Sequence, residues 1–121
     1  MNEQARVDLN QRTKEFALRV IRLFVALPKS TEAQVLGKQV LRSGTSVGAN
    51  WREATRGRSD AEFLAKTGDS LRELAETQYW LELLIESGIV KERKLSALCD
   101  EASQLAAILT TIERKLKARR R

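Results

Sequence analysis

The sequence predicts an all-α protein of four helices packed as a bundle, and three observations lead there. Hydrophobic residues make up 42% of the 121, but aromatics only 5%. The chain has one proline, Pro28. Aliphatic-rich, proline-poor chains pack helices through Leu, Ile and Val more readily than they build sandwiches of short strands. Finally, apolar residues recur at three- and four-residue steps in four successive segments, separated by proline, glycine or capping signals. A chain of this length buries about two-thirds of its unfolded surface, which suffices for one domain without disulfides. The expected organisation is a single bundle over residues 1–118, with 119–121 the end of a basic C-terminal tail.

The first helix is expected from about Leu9 to Leu27, where Pro28 stops it. Phe16, Val20, Leu23, Phe24 and Leu27 form one apolar stripe, and Leu18, Ile21 and Val25 form a second on the opposite side. One core cannot cover both. Either this helix is central in its own bundle, or its second stripe lies against a neighbouring subunit; the subunit interface is the favoured reading.

Thr31 and Gln34 give a capping-box signal for a second helix reaching about Arg56. Its core stripe contains Leu36, Val40, Ser43, Val47, Asn50, Trp51 and Ala54, with Gly37, Gly44 and Gly48 beside it. Each glycine costs about 1 kcal/mol of helix propensity, so their expected use is close approach of another helix. Lys38, Arg42, Arg52 and Arg56 fall on the opposite arc, interrupted only by the small Thr45 and Ala49. That arc is a basic ridge, extended at the corner by Arg58.

Ser59 and Glu62 cap a third helix over about Asp60 to Ser87, with Phe63, Thr67, Ser70, Leu74, Gln78, Leu81 and Ile85 inward and Glu62, Asp69, Glu73 and Glu76 outward. Gly88 ends it. The fourth helix, Lys91 to about Ala118, repeats Leu98, Ala102, Leu105, Leu109, Ile112 and Leu116, a bundle seam. It runs into "RKLKARRR", six basic residues in eight, expected to be frayed or disordered. Ser43, Asn50 and Ser70 are polar on inward faces and are expected to hydrogen-bond between the second and third helices, because an unsatisfied buried group costs about 1 to 3 kcal/mol.

These residues carry a resemblance. "RSGTSVGAN", then Glu53, "GRS", "AEF", "SLREL" and "YWLELL", resemble the four-helix-bundle family that includes proteins encoded in intervening sequences of bacterial large-subunit ribosomal RNA genes. The matching positions are Arg42, Ser43, Ser46, Val47, Asn50, Glu53, Ser59, Glu62, Phe63, Ser70 and Glu73. The resemblance implies an antiparallel up-down bundle assembled as a homo-oligomer, typically a pentamer, without enzymatic activity and suspected of binding nucleic acid. After Asn50 the family's aliphatic, small, Glu, Gly tract is replaced by Trp51, Arg52, Glu53 and Ala54.

Charge divides by element. The chain carries 22 Lys and Arg against 16 Asp and Glu, net +6, but residues 38–58 carry +4 and 114–121 carry +6 while 60–86 carry −5. The expected nucleic-acid contacts are therefore Lys38, Arg42, Arg52, Arg56, Arg58, Arg114, Lys115, Lys117, Arg119, Arg120 and Arg121, which neutralise phosphates without reading bases. Structured RNA, or duplex backbone generally, is the expected target, since no surface aromatic motif for stacking single-stranded bases stands out, and of these RNA is favoured. Leu18, Ile21, Val25, Ser43, Gly44, Gly48, Asn50 and Trp51 are the structural or subunit-interface candidates.

Enzymatic chemistry is not expected. There is no histidine, the commonest general base and a partner in di-iron bundle motifs. The best carboxylate pair, Glu73 and Glu76, reads as solvated charge, and the lone Cys99 as a packing residue. No metal and no cofactor are expected. With no hydrophobic signal, no membrane-length apolar run and no disulfide pair, the chain reads as cytoplasmic with no membrane partner. The alternative function is an interaction scaffold whose ridges bind a protein partner.

Overall fold

The computed structural model describes residues 1–119, and among them it has four helices and no strand: α1 (Glu3–Ala26), α2 (Thr31–Thr55), α3 (Asp60–Glu86) and α4 (Glu92–Arg119). Local chemistry sets the ends. α1 begins well before the expected Leu9, because Asn2 Oδ1 accepts the Ala5 N–H at 2.8 Å and caps the first turn. It ends at Ala26, with Leu27 extended as the residue before Pro28.

Ser30, not Thr31, caps α2: its Oγ accepts from Ala33 N at 3.4 Å, and Gln34 Nε2 donates to the Pro28 carbonyl at 2.8 Å. Ser59 caps α3 as expected, its Oγ accepting from Glu62 N at 3.1 Å. The Glu62 carboxylate in turn accepts the Arg58 N–H at 2.6 Å, so the corner is closed from both sides. α3 ends in a tight turn through Gly88, whose φ of +81° suits glycine. α4 continues through Arg119 with Leu116 buried. The expectation of a frayed tail from Arg114 is thus corrected through Arg119, since Leu116 anchors the last turns; Arg120 and Arg121 lie outside the described residues.

One core joins all four helices. Phe16 and Val20 of α1, Val40, Val47 and Trp51 of α2, Leu74, Leu81 and Leu84 of α3, and Leu105 and Leu109 of α4 are all essentially inaccessible. On α3 the buried set is Thr67, Ser70, Leu74, Thr77, Leu81 and Leu84, a strict heptad pattern. Thr77 and Leu84 thereby replace the expected Gln78 and Ile85, which are only half-buried. Thr77 is tolerated inside because its hydroxyl reaches Ser43 Oγ at 2.8 Å.

α2 has the closest neighbours. A Cβ placed on Gly44 would lie 2.8 Å from Val20 Cγ2, and one on Gly48 would lie 3.0 Å from Thr13 Oγ1, so α1 rides directly on the α2 backbone there. On the other side Ser70 Oγ donates to the buried Val47 carbonyl at 2.7 Å, and Ser43 Oγ donates to Gln39 O at 2.7 Å while accepting from Thr77. These contacts meet the expectation for Ser43 and Ser70. Asn50 departs from it: it is half-buried, and its side chain enters none of the hydrogen bonds among the described residues. With α1 and α3 occupying its other faces, α2 turns its basic arc to solvent, flanked by the exposed Glu32, Val35 and Glu53.

Close approach predicts a contrast between two glycines. Gly44→Leu collides with the stiff Val20 side chain and is expected to lower unfolding free energy by about 2 kcal/mol or more. At Gly37 an added Cβ would meet first the flexible end of Leu27 and then, at 3.0 Å, the edge of the partly buried Phe24 ring, both of which can give. Gly37→Ala should therefore change stability by less than about 1 kcal/mol, with the propensity gain offsetting the shift of Leu27. Urea denaturation of the two variants measures the difference.

Candidate nucleic-acid interface

The basic residues of α2 all reach solvent, but they are not equivalent. Lys38, Arg42, Arg52 and Arg56 are exposed. Arg42 leans toward α3, where its guanidinium meets Glu73 at 3.2 Å and Glu76 at 2.5 Å and donates to Gln39 as well. It is committed to carboxylates of its own chain, unlike the other three.

The acidic ridge of α3 is consumed in the same way. Glu73 and Glu76 hold Arg42, Asp69 holds Arg72 and lies 3.8 Å from Lys66, and Glu62 caps the corner. Lys66 also pairs with Glu53 at 2.8 Å across the α2–α3 seam. Each exposed pair stabilises by no more than about 1 kcal/mol. Together they leave little acidic charge on this flank to cancel the remaining cations.

Those cations collect at one end of the molecule. The C-terminal ends of α2 and α4 are brought to the start of α3, where Arg119 contacts both Asp60 oxygens at 3.0 and 3.1 Å. Arg52, Arg56 and Arg58 therefore share this end with Arg114, Lys115, Lys117 and Arg119, although the whole of α3 and most of α4 separate the two groups in sequence. Lys117 lies 3.8 Å from Glu113 and Arg119 is held by Asp60. Among the described residues, Arg52, Arg56, Arg58, Arg114 and Lys115 enter no ion pair. Lys38 also enters none but lies toward the opposite end of α2. Arg6 adds its guanidinium carbon 5.8 Å from the Phe63 ring centre, and Phe63 packs edge-on against Trp51.

The structural candidates divide between interior and surface. Gly44 and Gly48 meet α1 of the same chain, and Ser43 and Trp51 are fully buried. Leu18, Ile21 and Val25 stay 42%, 40% and 69% exposed, and Val7 extends their stripe toward the start of α1. Sequence reasoning missed the seam between α1 and α4, where Arg12 grips Glu101 through Nε at 3.1 Å and Nη2 at 2.7 Å and also reaches Gln104. That hydrogen bond and charge raise the Arg12 pKa against the opposing effect of burial. Nothing local in the sequence marks the pair, because its members lie on the first and last helices.

Two further titratable groups, Cys99 and Glu86, are shifted upward. Burial pushes the Cys99 thiol up, and the nearby Asp100 and Glu92 charges add to the effect. Glu86 is raised by its hydrogen bond with Glu82 and by that neighbour's charge. Among the described residues no group of three or more Cys, Asp and Glu side chains is placed to hold a metal ion, and no helix is long and apolar enough to cross a membrane.

Fold and surface together define a four-helix bundle with a tight polar α2–α3 seam and a concentrated basic end. A profile of the 23S rRNA-intervening sequence protein family matches residues 5–111, and the chain belongs to that family. It is also similar to a crystal structure of a protein of unknown function from the S23 ribosomal protein family of Bacteroides thetaiotaomicron. The two share 35% identity with a TM-score of 0.85, over 90% of this chain and 97% of that one. Among curated proteins no match reaches significance.

The raised thiol gives a direct check on Cys99. At neutral pH the native protein should alkylate with iodoacetamide at least about tenfold more slowly than the same protein in urea, because the native thiol is both less ionised and half-covered. Mass spectrometry of timed aliquots reads the two rates.

Proposed function

We propose that the protein is a non-enzymatic, cytoplasmic homo-oligomer that binds RNA through its phosphate backbone, using the basic end of the bundle. The observation that carries this reading is the gathering of Arg52, Arg56, Arg58, Arg114 and Lys115 at one end, without carboxylate partners among the described residues. Cations already paired within the fold lose much of their attraction for phosphate. Unpaired ones release counterions from the polyanion and supply affinity that does not depend on base sequence. Lys117, Arg119, Arg120 and Arg121 extend the same basic segment in sequence. Arg42 contributes least, because its charge is spent on Glu73 and Glu76. The family's description names a ribosomal RNA segment, and this favours RNA over DNA.

Support for an antiparallel up-down arrangement comes from contacts whose numbers rise on one helix as they fall on the next. Gly37, Gly44 and Gly48 meet Leu27, Val20 and Thr13, while Ser43 and Val47 meet Thr77 and Ser70. Self-association is supported by the exposed stripe of Leu18, Ile21 and Val25 opposite the core face of α1. The family resemblance implies five subunits. Five basic ends acting on one RNA would raise apparent affinity by about 10² or more.

Fluorescence anisotropy with labelled structured RNA over a salt series tests the reading. Binding should weaken steeply with salt, and Arg56→Glu/Arg58→Glu should lower affinity at least about tenfold and reduce the slope of log K against log salt by about 2. Arg42→Gln should change affinity by less than about threefold. Absence of binding at low salt, or equal binding by the charge-reversed variant, contradicts the proposal. For the subunit contact, Ile21→Asp should shift the assembly toward monomer in sedimentation, with little change in helicity.

A further inference from the structure

The opposite end of the bundle holds a trough that none of the functions above uses. It lies where the C-terminal turns of α1 meet the α3–α4 turn and the first turns of α4, and its volume is about 680 Å³. The floor is aliphatic: Leu27, Leu95 and Leu98 of the core form its base, with Leu23, Ile89 and Val90 half-exposed around them. Gly88 makes this floor possible. Its left-handed turn sends the chain back over the end of α3, with Val90 N donating to the Leu84 carbonyl at 3.1 Å, and so lays Ile89 and Val90 beside the α1 terminus.

The rims are cationic on both banks. Arg19 and Arg22 stand on the α1 side, Lys91 and Lys94 on the α4 side, and no carboxylate lines the space between them. None of the four enters an ion pair among the described residues. Arg22, Lys91 and Lys94 are exposed and Arg19 is half-buried. Like charges facing one another across an apolar floor are unfavourable when empty and become favourable when a ligand brings negative charge between them.

We propose that this trough binds an acidic, leucine-rich helical segment of a partner protein, its leucines on the floor and its carboxylates against both banks. Two features select that occupant. A nucleic-acid backbone would satisfy the rims but has no aliphatic group for the floor, and no aromatic side chain lines the trough to stack a base. A fatty acid would satisfy the floor but brings a single charge to four cations. A helix with an i, i+3, i+4, i+7 leucine stripe flanked by glutamates supplies both kinds of contact, in the manner of helices that dock in hydrophobic grooves. This surface is separate from the proposed RNA contact at the other end of the bundle, so each can fail without the other.

The test is titration of a labelled peptide helix of about four turns, built with that leucine stripe and flanking glutamates, against the intact protein. Its controls are a peptide in which serine replaces every leucine, decanoate, and the structured RNA. Wild type should bind the leucine–glutamate peptide at least about tenfold more tightly than the serine–glutamate peptide. Arg22→Glu/Lys94→Glu should lose at least about tenfold of that binding while keeping its helicity, oligomeric state and RNA affinity. Ile89→Ser, which leaves every charge in place, should weaken the peptide by about threefold or more. Equal binding of the two peptides, or insensitivity to both variants, overturns the proposal. It is also overturned if decanoate displaces the peptide stoichiometrically, if the charge variant loses RNA in parallel, or if that variant dissociates the subunits. Those last three outcomes would assign the trough to a lipid, to the nucleic-acid surface or to a subunit contact.

Discussion

The arrangement depends on how closely α2 is held by its neighbours. Gly44 and Gly48 bring the α1 side chains down to the α2 backbone, and the Ser70 hydroxyl ties α3 to a buried α2 carbonyl. Both contacts need small or hydroxylated residues at set turns of the helix, which is why α2 accepts three glycines, Gly37, Gly44 and Gly48, despite their propensity cost. Once α1 and α3 are seated, the rotation of α2 about its own axis has no freedom left. Its outward arc, bearing Lys38, Arg52 and Arg56, is then set by packing on the other side of the helix.

Charge follows from that geometry. α3 is seated with its acidic face beside α2, so Arg42 falls to Glu73 and Glu76, and Glu53 falls to Lys66. Pairing within the fold engages the central part of the basic ridge and leaves the α2 terminus, where α3 offers only Asp60 and Glu62. Asp60 is taken by Arg119 and Glu62 by the Arg58 backbone amide. What survives is a local excess of positive charge at one end. At physiological ionic strength the Debye length is about 8 Å, so this local excess, rather than the net charge of the whole chain, governs what a phosphate encounters.

Much of this was legible in the sequence, and the limits have physical causes. The four helices, the Ser59 cap and the α4 seam follow from periodicity and capping chemistry, which are local. The burial of Trp51 and the separation of Leu18, Ile21 and Val25 from the core stripe follow from angular position alone. Periodicity leaves the phase of the second half of α3 open, because Thr77 and Leu84 flank the Leu74–Leu81 line on one side and Gln78 and Ile85 flank it on the other. The side that turns inward places the Thr77 hydroxyl against both Ser43 of another helix and the Glu73 carbonyl of its own, and the first of these contacts is not local. The start of α1 needed the Asn2 cap, outside its apolar stripe. Individual fates within the basic ridge were not legible either. Helical spacing places Arg42, Arg52 and Arg56 together, but the loss of Arg42 to α3 depends on the register between two helices. The trough between Arg19, Arg22, Lys91 and Lys94 likewise exists only once the first and last helices are side by side.

The central claim is that phosphate is engaged by the basic end where α2 and α4 terminate. Ultraviolet crosslinking of the bound RNA at low salt, with the crosslinked peptides mapped by mass spectrometry, addresses it most directly. The account predicts crosslinks concentrated in residues 49–58 and 111–119. Crosslinks centred on the Arg42 region of α2, on α3 or around the α3–α4 turn, with those two segments clear, would contradict it.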